Sequence, residues 1–433
     1  MSPWAQSKGL TKMITSQKAL EKILNSTEDF GIEEIPFIET LGRVLKENIR
    51  ADRDFPPFNR VSMDGIGVVY DTFHKGVRDF PIEGIQAAGS KQLTLKNQEN
   101  CIEVMTGAVL PKNADAVIPY ELVTITNGIA TVQLDKIKQL QNVHLQAKDR
   151  KKNDVLINSN TVISAAEIGV FATVGKSTVK VAKQPKVMIV STGDELVEVS
   201  EKPWVHQIRR SNSYTLVALL QSLKIQADSA HITDDKPLLK QKIAQFLEDY
   251  DVLLFSGAVS KGKFDYLPEI LDELGVKKLF HKVKQRPGKP FWFGRKVSSG
   301  TGESHSERVK RSEPAYRQGR ESHTVVFAFP GNPVSTFVGC VNYFYPWYKK
   351  SVGLDFKNHQ KAILAENFTF KPSLTYFLQV KLTNKNGMLL ATPMVGNGSG
   401  DLANLADADG FLELPDDRSE FQKGEVFPLI MYR

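Results

Sequence analysis

Three short Gly- and Ser-bearing segments each follow a run of β-forming residues. They are Ser191–Glu195 (STGDE) after Lys186–Val190, Ser256–Gly262 (SGAVSKG) after Asp251–Phe255, and Pro330–Ser335 (PGNPVS) after Val325–Phe329. Glycine lets backbone N–H groups approach an anion closely, and a helix N-terminus adds positive potential at the same place. In a parallel sheet the carboxyl ends of the strands share one edge, where ligands bind, so these distant segments are expected to meet there. One such loop alone reads as a tight turn; three on one edge favour a phosphate or nucleotide site. Ser191, Thr192, Gly193, Ser256, Gly257, Ser260, Asn332 and Pro333 are therefore the candidate substrate-binding residues. Asn332 is expected to cap a helix that Pro333 starts, leaving the amides of Val334 and Ser335 to donate.

Carboxylates sit beside these loops: Asp194 and Glu195 in the first, Asp265 three residues beyond the second, and Asp234 with Asp235 before a helix. Mg²⁺ takes oxygen ligands and keeps several waters, so acids gathered near a polyphosphate suit it. Asp194, Asp234 and Asp265 are the metal candidates, whereas Asp235 reads as a helix cap. Between Val276 and Lys296 there are eight Lys or Arg residues and no acid. This stretch surrounds a Pro-Gly turn and is either a solvated basic face or a pocket for a small anion. Carboxylates, amide donors and the charges of Arg286 and Lys289 together suit chemistry on a phosphoanhydride. No C-x-x-C pair, H-E-x-x-H, Walker A loop or G-x-S-x-G elbow occurs, so a dedicated transition-metal site and Ser-His-Asp catalysis find no motif.

The elements that must hold these groups follow from periodicity. From Pro185 onward β-branched runs alternate with helical patterns, namely strands at Lys186–Val190, Ile225–His231, Asp251–Phe255, Val276–Val283 and Val325–Phe329. The helices run over Ser211–Leu223 (opened by a capping Ser or Asn), from Asp235 and Pro237, up to Leu274, and from Asn332 to about Trp347. Such alternation implies a mostly parallel sheet covered on both faces. Upstream, Ala19, Leu20, Ile23 and Leu24 form one apolar helix face. Gly65–Leu134 reads as a small all-β unit marked by the Asn127-Gly128 hairpin turn, and Lys148–Asp154 as a solvated linker to a helix at Ala165–Val174. The polar stretch between Arg295 and His323 reads as a surface loop. From Phe368 the chain returns to β character, with a hairpin signal at Asn386-Gly387.

Composition bounds the rest. The 433 residues are too many for one core and suggest two to four domains. Hydrophobic residues make up 41% and charged residues 24%, which excludes a largely disordered or fibrous chain. No apolar run is long enough for a membrane helix and no export signal is evident, and the two cysteines, Cys101 and Cys340, cannot build a disulfide framework. A reducing cytoplasm is expected. The net charge of +7 could come wholly from the Val276–Lys296 stretch, and its placement around a turn argues against a nucleic-acid groove.

Taken together the motifs resemble the molybdopterin molybdenumtransferase (MoeA) family. The segments that carry the likeness are Leu41–Leu45 (LGRVL), Phe55–Val68 (FPPFNRVSMDGIGV), Val104–Glu121, Val190–Glu198, Ser256–Gly275, Arg286–Pro290 (RPGKP), Phe329–Ser335 and Gly396–Pro415. The resemblance implies a multi-domain α/β plus all-β fold with four parts. These are an elongated N-terminal domain (1–52 and 143–184), an inserted β-rich domain (53–142), a three-layer α/β domain with a mostly parallel sheet (185–356, carrying the polar insert 297–323), and a C-terminal β barrel (357–433). It implies a homodimer whose active sites draw on both subunits, the β-rich domain of one chain bringing Asp64 and Thr106 over the α/β domain of the other. It also implies the reaction: adenylylated molybdopterin and molybdate give molybdenum cofactor and AMP, with Mg²⁺.

On that resemblance Asp64, Thr106, Glu195 and Asp265 are the catalytic residues, and Arg286, Lys289, Ser335 and Ser399 hold molybdate, a tetrahedral dianion suited to Arg, Lys, Ser and amide donors. Without it, Asp64 and Thr106 read as a turn cap and a turn residue. The chain departs from the family pattern at Asn59, Arg60, Val61, Ser62 and Ile66, has Arg286 where Lys is usual, and lacks the Arg that family members commonly place near Leu378–Gln379. A catalytically idle scaffold or pterin carrier, and a nucleotide-processing enzyme sharing only the α/β domain, are the competing readings. Other cofactor-synthesis proteins are possible partners.

Overall fold

The β-branched runs form the centre of a six-stranded sheet. Its strands are β1 (Val187–Thr192), β2 (Ala227–Ile232), β3 (Val252–Ser256), β4 (Val276–His281), β5 (Trp292–Val297) and β6 (His323–Phe329), in the spatial order β2-β1-β3-β6-β5-β4. The computed structural model describes residues 13–257, 259, 265–297, 323–355 and 360–433. β2, β1, β3 and β6 run parallel, and β5 is antiparallel to both its neighbours. The helices are α1 (Ser211–Ser222), α2 (Lys236–Asp249), α3 (Leu267–Glu273) and α4 (Pro333–Gly339), the last continued by a π turn and a further helix to Ser351.

Alternate residues of each strand enter opposite cores, as a strand's period of two requires. Ile189, Leu254, Phe327 and Phe293 pack with Leu216 and Leu220 of α1 and with Phe344 and Trp347. Val190, Leu253, Phe255 and Val326 pack with Ile243 of α2 and Ile270 of α3. The α/β part thus has three layers. The helix Ser16–Leu24 closes the first core with Ala19 and Ile23, both fully buried, as its apolar stripe predicts.

β5 is a correction to the sequence reading, which has no strand there. Phe291 and Phe293 enter one core and Trp292 the other, so the run is apolar on both faces. Flanking Pro290, Gly294 and basic residues mask this short signal.

The chain divides by contacts into two units. One comprises Met1–Glu33, Gly42–Val44 and Lys180–Arg433, and the other Glu34–Leu41 and Leu45–Val179. The first unit also holds a C-terminal barrel, in which Thr375–Lys385 pairs with Met388–Pro393 on one side and Gly410–Leu414 on the other. Gln360–Leu364 and Val426–Met431 complete the five-stranded closure. Its hairpin turns at Asn386-Gly387, both at positive φ as expected.

The second unit is built on a six-stranded mixed sheet that includes Gly65–Val68, Cys101–Val104 and the hairpin Val123–Thr126/Ile129–Val132. Asn127 and Gly128 take φ of 51° and 77° at its turn. Lys148–Asp154 is solvent-exposed, as its charge suggests, yet held in place. The Phe55 amide donates to the Arg150 carbonyl at 2.8 Å, the Asn153 amide to Ala51 at 2.9 Å, and Asp54 accepts the Lys152 amide at 2.9 Å. Backbone pairing, invisible in composition, fixes it. The helix Ala165–Thr173 that follows opens with a Ser164–Glu167 capping box.

Candidate active site

The register of the parallel strands brings the three Gly/Ser loops level: Ser191 of β1 lies opposite Ser256 of β3, which lies opposite Phe329 of β6. Gly193 and Gly257 take φ of +128° and +113°, values open to glycine, where the chain turns out of the sheet. The Gly257 amide donates to the Phe329 carbonyl at 3.0 Å. Asn212 of α1 ties the loops together, its Nδ2 donating to Ser256 Oγ at 2.8 Å and to the Gly331 carbonyl at 2.7 Å. Ser191 Oγ hydrogen-bonds His231 Nδ1 at 3.1 Å.

A cavity of about 670 Å³ opens on this edge. Its wall includes Ser191, Thr192, Gly193, Glu195, Asp234, Ser256, Gly257, Asp265, Asn332 and Pro333, ten of the residues singled out from sequence. Asp194 stands just behind, accepting the Asp234 amide at 3.1 Å. Burial pushes the Asp234 carboxyl above its ordinary range, and the charges of Asp194, Glu195 and Asp265 push it further. Ser260 lies outside the described residues, as does the insert at 298–322.

A second cavity, of about 480 Å³, lies against the C-terminal barrel and is lined by Arg286, Gln379, Asn397, Ser399 and an aromatic wall that includes Phe370 and Tyr376. Arg286 rides 5.9 Å over the Phe370 ring, which stacks on Tyr376 at 4.2 Å. No carboxylate pairs with Arg286 among the described residues. The two cavities share a wall: Asn332 and Pro333 face the first, Val334 and Ser399 the second. Asn332 Nδ2 donates to Ser399 Oγ at 2.9 Å, and the Val334 amide donates to the Ser399 carbonyl at 3.1 Å.

These bonds correct two expectations. Asn332 occupies the cap position of α4 but makes no side-chain cap, and the Val334 amide is already spent. Lys289 and Ser335 line neither cavity, although Gly288, the residue before Lys289, lies against Ser335. A side chain on Gly288 would begin 3.7 Å from the Ser335 carbonyl, so the Arg286–Pro290 turn packs on the start of α4. Behind that turn a buried chain runs from Ser16 Oγ to Tyr343 Oη (3.1 Å), from Tyr343 Oη to Gln285 Oε1, and from Gln285 Nε2 to the Pro287 carbonyl (3.1 Å).

In the second unit Asp64 and Thr106 meet, the Thr106 amide donating to Asp64 Oδ1 at 2.6 Å. That bond, with one from the Thr106 hydroxyl, holds the Asp64 carboxyl below its usual range. Sequence reasoning missed the stretch Ile208–Ser213, all of which lines the first cavity. Its polar run IRRSNS ahead of an apolar helix was the available signal. The expected Ser or Asn cap of α1 is absent as well: Arg210 takes the cap position without a side-chain bond.

Three family models cover nearly the whole chain. Residues 14–175 match the MoeA N-terminal region (domain I and II), 188–350 a probable molybdopterin binding domain, and 361–432 the MoeA C-terminal region (domain IV). The chain belongs to the MoeA family. Among relatives of this MoeA chain, the molybdopterin molybdenumtransferase of Synechocystis is 39% identical over 96% of this chain and 99% of its own length. The protein of that name from Staphylococcus epidermidis is 28% identical over 96% and 95%. A molybdopterin biosynthesis MoeA protein from Pyrococcus horikoshii superposes with a TM-score of 0.77 at 27% identity, covering 98% of this chain and all of that one. The resemblance read from the motifs, and the multi-domain α/β plus all-β architecture it implied, both hold. No helix among the described residues is long and apolar enough to cross a membrane.

Proposed function

We propose that this chain inserts molybdate into adenylylated molybdopterin and releases AMP. It is a transferase of molybdenum cofactor biosynthesis, a reading supported by its family and by relatives named molybdopterin molybdenumtransferase. The single observation that carries the finer statement is the pair of cavities sharing the Asn332–Val334 and Ser399 wall. One is edged by carboxylates and lined by Gly and Ser, as a nucleotide-linked pterin requires. The other offers the guanidinium of Arg286, which no carboxylate pairs among the described residues, and the Ser399 hydroxyl, as a tetrahedral oxyanion requires. Water adds to phosphorus as the phosphoanhydride bond breaks, leaving AMP and the pterin phosphate, while the two dithiolene sulfurs replace two oxo groups of molybdate, which leave as water. A metal-inserting enzyme of this kind needs no Cys or His cage of its own.

Mg²⁺ fits the first cavity. The Asp234 carboxyl is raised first by burial and then by three neighbouring acids, and a cation would relieve the second of these. Among the described residues no group of three such side chains is placed to hold a metal ion by itself, so the ion would have to take substrate oxygens and water as further ligands. Asp194, Asp234 and Asp265 would hold it, and it would neutralise charge on the anhydride. Glu195, folded back beside Gly193, orients the scissile group. Arg286 and Ser399 hold molybdate; Lys289 and Ser335, expected beside them, sit in the adjoining turn and helix and line neither cavity.

The reading also includes a cytoplasmic homodimer in which Asp64 and Thr106 of one subunit serve the α/β domain of the other. Purified chain given adenylylated molybdopterin is expected to release AMP only with molybdate and Mg²⁺ present. The Asp265→Asn variant is expected to lose most of that release. Tight binding of the pterin adenylate with no AMP release under any condition would instead make the chain a carrier.

A further inference from the structure

We propose that His281 is a positioning residue: its imidazole pins the loop that follows β3 and so sets where Asp265 stands in the larger cavity. The proposal rests on reading Asp265 as a holder of Mg²⁺ beside the anhydride. It goes further by naming a group outside the cavity wall on which that placement depends.

β4 and β6 both run antiparallel to β5, so their carboxyl ends share the edge of the sheet on which the cavity opens. His281 is the last residue of β4. Its Nε2 hydrogen-bonds the Val259 carbonyl oxygen at 3.1 Å. A carbonyl can only accept, so Nε2 carries the proton and donates it. Burial holds the imidazole below its ordinary range, and the charges of Lys282 and Lys278 act in the same direction, so the ring is neutral at pH 7.

Val259 lines the cavity and is 1% exposed, sharing a core with Leu267 and Ile270 of α3. Asp265 lines the same cavity, and its charge acts on His281. The start of the loop is tied separately: Asn212 donates to Ser256 Oγ at 2.8 Å, and the Gly257 amide donates to the Phe329 carbonyl at 3.0 Å. Gly257, at φ +113°, gives the chain a free choice of direction there, so the residues beyond it need a tie of their own. His281 supplies it at Val259.

The imidazole is itself held by regular structure. His281 pairs with Trp292 of β5. Directly after it the Lys282 amide donates to the Phe291 carbonyl, and the Val283 amide to the Lys289 carbonyl, both at 2.9 Å. These bonds form the base of the hairpin that carries Arg286. One hydrogen bond therefore joins the loop of the carboxylate side to the hairpin of the oxyanion side.

Two substitutions in the full-length chain separate the donor from the ring. His281→Gln keeps an N–H where Nε2 stands, whereas His281→Leu keeps apolar bulk and removes the donor. The thermal midpoint is titrated with Mg²⁺ alone, and AMP release from adenylylated molybdopterin is followed in parallel. His281→Leu is expected to raise the half-saturating Mg²⁺ about 10-fold and to lower kcat about 10-fold at nearly unchanged KM for the pterin adenylate. His281→Gln should stay within about 2-fold of wild type in both measurements. Should the Leu chain not fold, His281→Asn, whose amide is too short to reach Val259, takes its place.

A donor-free variant with wild-type Mg²⁺ midpoint and kcat, and only a lower metal-free thermal midpoint, would make the bond purely structural and overturn the proposal. A Gln variant as impaired as the Leu variant would overturn it too. Normal AMP release in every variant leaves the transferase reading standing without a role for His281. If wild type releases no AMP under any condition, the transferase reading falls and the Mg²⁺ titration alone decides His281. A wild type whose midpoint ignores Mg²⁺ removes the metal reading of Asp265 and this proposal with it.

Discussion

Asp234 sits among Asp194, Glu195 and Asp265, and its carboxyl is raised first by burial and then by those charges. A carboxylate raised in the folded state opposes folding once ionised. Its penalty sets in as pH climbs from the ordinary 3.8 through the raised value and persists at neutrality. Asp234→Asn is therefore expected to raise the thermal midpoint of the metal-free chain by about 1–2 °C at pH 7, and not at pH 3.5. The same change should remove most of the stabilisation by Mg²⁺ and lower AMP release roughly 100-fold. A variant with lower stability at neutral pH would show that the charge is already compensated in the free protein. Asp64 shows the opposite sign: bonds from Thr106 hold its carboxyl low, so it favours the fold above the ordinary value and loses that contribution in acid.

The turn from Arg286 to Pro290 is a two-residue strand plus a Pro-Gly bend, too short to hold a guanidinium in place unaided. Its anchorage is the buried chain Ser16–Tyr343–Gln285, with Gln285 1% exposed and Tyr343 fully buried. Tyr343→Phe leaves the Gln285 oxygen unpaired, and is expected to cost about 1–3 kcal/mol in chemical unfolding. If the network positions Arg286, the same variant raises the molybdate KM several-fold at nearly unchanged kcat; an equal loss at saturating molybdate would make the role purely structural. None of this network was legible in sequence, because its bonded side chains are distant in the chain, 327 positions between Ser16 and Tyr343 and 58 between Tyr343 and Gln285. The strand–helix alternation was legible, since strand and helix periods differ. β5 was not, because its apolar run is only Phe291–Phe293 and is cut short by Gly294, Arg295 and Lys296, whereas β3 offers a longer β-forming run.

Two units make up the chain, with Asp64 and Thr106 in one and both cavities in the other. The proposed cooperation of Asp64 and Thr106 with the α/β domain of a second subunit has a numerical consequence. Asp64→Asn and Asp265→Asn chains are each expected to be inactive alone. Co-expressed, they form mixed dimers in which one of two sites is intact, so the pool should recover about one quarter of wild-type activity. A pool as inactive as either parent would exclude a shared site.

Local spacing by itself determined which loops carry glycine, which helices start at Asp235 and Pro333, and that Asn127-Gly128 turns a hairpin, because those depend on residues close in the chain. Its order of motifs also determined the family. Tertiary structure alone decided that Asn332 and Val334 spend their hydrogen bonds on Ser399, and that Lys148–Asp154 pairs with the segment around Phe55. It alone left the first turn of α1 without a cap. Hydrogen-bond partners are chosen by proximity in space, and proximity between distant segments exists only once the sheets and the barrel have closed.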